Sequence, residues 1–132
     1  LVETVRFRGA VPTREIRAAL ERASVFVLAS RRDADGDMDG IPVALMEAMA
    51  SGVPCISTQI SGIPELIRHR QTGWLVAPED AEGLAVCLTE ALGCPSDLRQ
   101  VGAESRRFIG EQFDLNKNAM ALERQWADAA AA

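Results

Sequence analysis

No two cysteines in this 132-residue chain stand at a CxxC spacing, and the three present, Cys55, Cys87 and Cys94, are odd in number. That pattern argues against a disulfide framework or a zinc ribbon and fits a reducing compartment, with each thiol expected as a small buried apolar group. Basic residues are few and scattered: 14 Lys and Arg face 19 Asp and Glu, a formal net charge of -5. Nothing resembles the basic patch that a phosphate backbone attracts, so nucleic acid is not an expected partner. No apolar run approaches the roughly 20 residues of a membrane span, and the start lacks the basic and apolar segments of a signal peptide. A cytoplasmic location is expected, peripheral to a membrane at most. Histidine occurs once, at His69 in the polar turn "RHRQTG", where a surface position is expected. No Ser-His-Asp or Cys-His spacing supports nucleophilic catalysis. An initiating Met is also missing, and the expectation is a piece of a longer protein.

What is present has the size and the 48% hydrophobic content of a single domain over residues 1–132. Val5 to Phe7, in "TVRFRG", reads as a strand ending at Gly9. Thr13 then caps a helix running to Ala23, with Ile16, Ala19, Leu20 and Ala23 on one face. "SVFVLAS", Ser24 to Ser30, is continuously apolar, as a strand buried on both faces would be. An acidic loop follows, then a helix from Pro42 to about Ser51, a buried strand in "VPCIST", a short helix after Ser61 and a strand in "WLVA". Asp80 caps a helix that turns Leu84, Leu88, Ala91 and Leu92 to one side. One more helix carries Leu98, Val101, Phe108 and Ile109. A last helix and frayed tail, 114–132, carry Leu115, Ala119, Leu122 and Trp126, and Trp74 and Trp126 read as packing residues. Strand and helix alternate through the first eighty residues, which predicts an α/β fold, a Rossmann-like parallel sheet with helices on both faces.

The stretch after the acidic loop invites a site, because ligands of open parallel sheets bind beyond the carboxyl ends of the strands. Gly40 permits an unusual backbone angle, and Pro42 suits the first helical position, where a missing N–H costs nothing. The amides of Val43, Ala44 and Leu45 would then point outward at the positive end of the helix, where a phosphate is favoured. Leu45, Met46 and Met49 form the core side, while Ala44, Glu47, Ala48 and Ser51 share another stripe. Glu47 would thus stand among small residues, with two oxygens able to accept both hydroxyls of a cis-diol. A solvated glutamate on an exposed face would give the same pattern.

Taken in order, "DGIPVALMEAMASGVPCISTQISGIPELI" and "TGWLVAPED" resemble the C-terminal donor-binding domain of GT-B glycosyltransferases, specifically glycosyltransferase family 4. The likeness runs from about Val5 to about Phe113. It implies a GT-B C-terminal fold lacking its first two strand-helix units, and transfer of a hexosyl group from a nucleoside-diphosphate sugar to an acceptor hydroxyl with retention. The second signature glutamate falls on Glu47, which in the family holds the ribose hydroxyls. The first, eight positions earlier, falls on Asp39, one methylene shorter than the family's Glu, at a place that contacts hydroxyls of the transferred sugar. By the same resemblance Asp39 and Glu47 are the catalytic pair, and Gly40, Ile41, Pro42, Val43 and Ala44 approach sugar and diphosphate.

Ser61 and Gly62, followed by Ile63, Pro64 and Glu65, match a glycine-rich turn near the same crevice, and Ser61 replaces a common glycine. Gly9 matches a position near the base, although a plain turn glycine reads equally well. Glu65 reads equally as a helix-start carboxylate. No metal or other cofactor is expected, because the family stabilises the diphosphate with helix dipoles and basic side chains; the nucleotide sugar is the substrate. Polysaccharide biosynthesis is the family's frequent setting.

Asp35, Asp37, Asp39 and Gly40 also copy the first half of an EF-hand loop, yet the twelfth position, which requires Glu, is Met46, and Pro42 occupies the eighth. Calcium is therefore a poor reading, and Asp33, Asp35 and Asp37 read as loop solvation. The resemblance leaves the acceptor domain, as N-terminal partner, outside this chain. It also leaves the first strand without its neighbours, so Val5 to Phe7 would pair differently, across a homodimer or with other parts of a longer protein. A non-catalytic binding or assembly module of the same fold is the alternative function.

Overall fold

A computed structural model describes residues 4–32 and 40–130. Among these, nine elements follow one another: α1 (Thr13–Leu20), β1 (Phe26–Leu28), α2 (Val43–Ala50), β2 (Cys55–Thr58), α3 (Ile63–Leu66), β3 (Gly73–Val76), α4 (Ala81–Gly93), α5 (Pro95–Gln112) and α6 (Leu115–Ala130). The strands form one parallel sheet in the order β1-β2-β3, with Phe26 opposite Cys55 and Cys55 opposite Gly73. This is the expected α/β architecture. Every residue of β2 is buried, because alternate side chains enter different cores. Cys55 joins Leu45, Ala48, Met49, Ile63, Leu66 and Phe108 on the face covered by α2, α3 and α5. Ile56 joins Trp74, Val76, Cys87, Ala91, Leu98 and Val101 on the face covered by α4 and the first half of α5.

Helix α2 ends through backbone chemistry that its sequence dictates. Gly52 adopts φ +77°, and its N–H donates to the Met49 carbonyl at 2.9 Å while Val53 N–H reaches back to Ala48 at 3.0 Å. This pair of bonds is a Schellman closure, sealed by the buried contact side of Val53 and Ala48. At Gly102 of α5, a Cβ would lie 2.3 Å from the Gly52 carbonyl oxygen, so the two helices approach as closely as backbone allows. At the other helix with a predicted cap, the Asp80 carboxylate accepts from Gly83 N–H at 2.8 Å.

Several expectations are corrected. Val5 to Phe7 is not a strand: it pairs with nothing in the sheet, and Phe7 is 97% exposed. The strand in "SVFVLAS" shrinks to three residues, and Val27 is 38% exposed, because β1 is a sheet edge whose outer face no described element covers. Helix α1 stops at Leu20 and begins after Pro12 without a side-chain cap from Thr13; Leu20 is its only buried residue. In α4, Cys87 takes the inward position and Leu92 points out. Cys94 is half-buried at the α4–α5 junction, with its sulfur 3.3 Å from Ser96 Oγ. Trp126 is 66% exposed, and Leu115, Ala119 and Leu122 are exposed with it, since no residue of α6 is buried. Helix α6 continues through Ala130, and no described helix is long and apolar enough to cross a membrane.

Two substitutions in α5 separate close packing from helix propensity. Gly102→Ala should destabilise by about 1–3 kcal/mol, because its methyl group must displace the Gly52 backbone. Gly110→Ala, with nothing within 4 Å, should stabilise by about 0.5–1 kcal/mol. Urea melts of both variants provide the comparison. A second pair tests the core. Leu45→Ala, at a fully buried site, should cost about 2–5 kcal/mol, whereas Leu122→Ala on the bare side of α6 should stay within about 0.5 kcal/mol of the parent in the same assay.

Candidate functional site

The carboxyl ends of the strands are tied together laterally. Ser57 Oγ donates to the Leu28 carbonyl and Thr58 Oγ1 to the Ser30 carbonyl, each at 2.6 Å. These bonds satisfy two buried hydroxyls and hold the chain at Ser30 against the end of β2. The chain returns at Gly40 to start α2. There Pro42 is the residue just before the helix, extended at ψ 123°, instead of its first helical residue. The Leu45 amide nonetheless donates to the Pro42 carbonyl, three residues back, at 3.1 Å and is not free for a ligand. The amides of Val43 and Ala44 have no acceptor among the described residues.

The start of α2 is clamped to the turn before α3. Gly62 N–H donates to the Gly40 carbonyl at 3.2 Å, and a Cβ on Gly62 would lie 2.7 Å from Ile41 Cγ1. Any side chain at 62 would therefore force Ile41 to shift. Ser61, beside it, sits at φ +51°, a left-handed angle at which glycine would be unstrained. Its replacement of a glycine was visible in the sequence; the angle explains why glycine suits that position.

Glu47 lies on the exposed side of α2, and its carboxylate has no hydrogen bond or ion pair among the described residues. Its neighbours divide differently from the expected stripe. Ala44 and Ser51 are exposed, but Ala48 is completely buried, and Ser51 Oγ caps back onto the Glu47 carbonyl at 2.9 Å. Residues 40–41 and 61–62 are thus joined in one rim, and Glu47 is exposed further along α2. Asp39, with Asp33, Asp35 and Asp37, lies outside the described residues. Gly9 adopts φ +62° in an exposed turn with nothing within 4 Å of a would-be Cβ, and no hydrogen bond ties it to this rim. Glu65 is exposed in the first turn of α3.

His69 is exposed, and its Nδ1 accepts the Leu75 N–H at 3.1 Å, which makes it a splint for the turn into β3. Burial pushes the Cys55 thiol up to about 12, so it serves as an apolar filler and not as a nucleophile. Sequence reasoning missed a cleft of about 280 Å³ on the α4 side of the strand ends, lined among others by Ser30, Arg31, Thr58, Glu79 and Asp80. The signal was available: these residues end or follow the three strands, where open parallel sheets bind ligands.

The family described as glycosyl transferases group 1 matches residues 1–93. WcaL of Salmonella typhimurium, a protein assigned to colanic acid biosynthesis as a glycosyltransferase, is 44% identical over 128 residues, covering 96% of this chain. The chain spans 30% of that relative's length. Among solved structures, sucrose-phosphate synthase from Thermosynechococcus elongatus superposes with a TM-score of 0.83 at 25% identity, over 98% of this chain and 31% of the other. HepE of Anabaena, solved with UDP-glucose, superposes at 0.72 with 16% identity, over 83% and 29%, a likeness of fold. The ordered motifs, the parallel sheet and the match over residues 1–93 agree, and the chain belongs to the glycosyl transferases group 1 family.

Proposed function

We propose that this chain is the donor-binding part of a retaining glycosyltransferase, one that moves a sugar from a nucleoside-diphosphate sugar to a hydroxyl of a growing polysaccharide. The reading is carried by Glu47: a solvent-facing carboxylate, unpaired among the described residues, on a helix whose start is clamped against a second turn at the strand ends. An unpaired carboxylate can accept both hydroxyls of a ribose, with two charge-assisted hydrogen bonds in one plane. The amides of Val43 and Ala44, without an acceptor among the described residues and at the positive end of α2, suit the diphosphate and the charge it gains as the glycosyl bond breaks. Asp39 would hold hydroxyls of the transferred sugar, and its shorter arm would set a preference among donors. Holding both ends of the donor lowers the barrier by fixing the anomeric carbon for attack by the acceptor oxygen.

Two likenesses support the reading: HepE was solved with UDP-glucose, and WcaL is assigned to polysaccharide synthesis. The acceptor site would come from the remainder of a longer protein, since the chain spans 30% of WcaL. That same short span motivates the second reading, a non-catalytic binding module. Sugar transfer by the chain alone would eliminate it.

Titrating wild type and Glu47→Ala with a panel of UDP-, GDP- and dTDP-sugars tests the crevice. Loss of two charge-assisted bonds should weaken the best donor by about 10- to 100-fold. Because Glu47 is exposed, the melting temperature should not change. Equal affinities for the two proteins would sink the reading.

A further inference from the structure

A cleft of about 600 Å³ opens beside the start of β3, within the size range of small-ligand sites. The strands are parallel, so it lies at the other end of the sheet from the Gly40–Gly62 rim and shares no residue with it. One wall is the turn before β3. Arg70 N–H donates to the Gly73 carbonyl at 2.6 Å, and the Arg70 guanidinium reaches Glu90 of α4 at 2.7 Å, which braces turn and helix together. The facing wall is α5, where Asp97, Gln100, Val101 and Glu104 stand at helical spacing along one stripe. Trp74 of β3 also lines the cleft and is only 5% exposed. Its indole N–H has no acceptor among the described residues. No side-chain nitrogen or oxygen sealed from solvent lacks a partner among those residues, so this N–H is open to the cleft that the ring lines. A deeply buried ring thus offers its one donor from a fixed position, where a surface hydroxyl would rotate freely.

The charges of the lining select the ligand. Glu90 is taken by Arg70 and Glu104 by Arg107, whereas Asp97 has no ion pair among the described residues and accepts only from Ser96 Oγ, at 3.3 Å. Three carboxylates against one guanidinium disfavour an anion. An ammonium ion would suit Asp97 but would leave the indole, which can only donate, facing another donor. A ligand carrying several hydroxyls meets both demands, because each hydroxyl can donate and accept, and the side-chain amides of Gln71 and Gln100 can do the same. We propose that this cleft binds a neutral sugar unit, with Trp74 Nε1 donating to one of its oxygens and Asp97 accepting from one of its hydroxyls. The site is separate from the donor crevice and stands or falls without it. A short free sugar and a stretch of polysaccharide present the same hydroxyls to it.

The chain has two tryptophans, so in a Trp126→Phe background the remaining indole N–H resonance reports Trp74 directly. Lactose, cellobiose or isomaltose should shift that resonance saturably in the millimolar range, while inorganic phosphate and putrescine should leave it in place. Asp97→Ala in the same background should weaken the best disaccharide about tenfold, as loss of a charge-assisted bond does. Calorimetry on Trp74→Phe should show a loss of about fivefold, the effect of one neutral hydrogen bond. Asp97 is exposed, so its variant should melt with the parent and tests the site apart from any packing lost in Trp74→Phe. Glu47→Ala should bind the disaccharide as the parent does, so the two sites fail separately. Tighter binding of dextran than of isomaltose assigns the cleft to a polysaccharide chain; equal binding per sugar unit assigns it to a short sugar. The inference is overturned by a resonance that stays still with all three disaccharides and dextran, by one that moves with phosphate or putrescine instead, or by Asp97→Ala and Trp74→Phe binding as their parents.

Discussion

The contact of Gly102 on the Gly52 carbonyl sets the distance between α2 and α5, and most of what is ordered around the site depends on that distance. Helix α5 carries Phe108 into the core shared with Leu45 and Met49, and Val101 into the core on the other face of the sheet. With both cores anchored by one helix, α2 has little freedom to roll or slide. Interiors are packed densely enough that a shift of one helix would be felt by every neighbour. Glu47 therefore takes its position from residues on the opposite side of its own helix.

A second clamp works at the other end of α2. The bond from Gly62 to Gly40 joins the turns that follow β1 and β2, and the hydroxyls of Ser57 and Thr58 join the same two chain segments one layer below. Backbone donors and acceptors at strand ends would otherwise look to water, so these bonds turn a set of loose loop starts into a rim. Among the described residues, the amides of Val43 and Ala44 and the carboxylate of Glu47 keep no protein partner at this end of the sheet. Rigid elements on either side reduce the cost of binding, because the groups are already placed when a ligand arrives.

The alternation of apolar runs and amphipathic helices was enough to read the parallel sheet, and caps such as Asp80 followed from local rules. The clamp at Gly62 could be guessed only as a glycine-rich turn; its tight fit depends on Ile41, twenty-one residues earlier. Errors gathered at edges. Val5 to Phe7 and "SVFVLAS" have strand composition throughout, yet a strand needs a partner, and composition says nothing about whether the neighbour is present. Trp126, Leu115 and Leu122 have the spacing of a buried face, but an amphipathic helix reveals only that it could be covered. Pro42 shows the limit on a finer scale: it stands one residue before the helix, and its carbonyl takes the Leu45 amide through a tight three-residue turn that periodicity does not reveal.

By itself the amino-acid order determined the class of fold, the family and the identity of the carboxylates worth examining, because periodicity, glycine placement and motif order are properties of neighbours along a chain. Tertiary structure alone decided which of those groups remain available. Ala48 was drawn into the core and Leu45 gave its amide to Pro42, whereas the Glu47 carboxylate and the amides of Val43 and Ala44 have no partner among the described residues, and Ser61 adopts a left-handed angle beside the Gly62–Gly40 bond. Availability depends on what packs against a group from far away in sequence, and that is settled only when helices and strands meet.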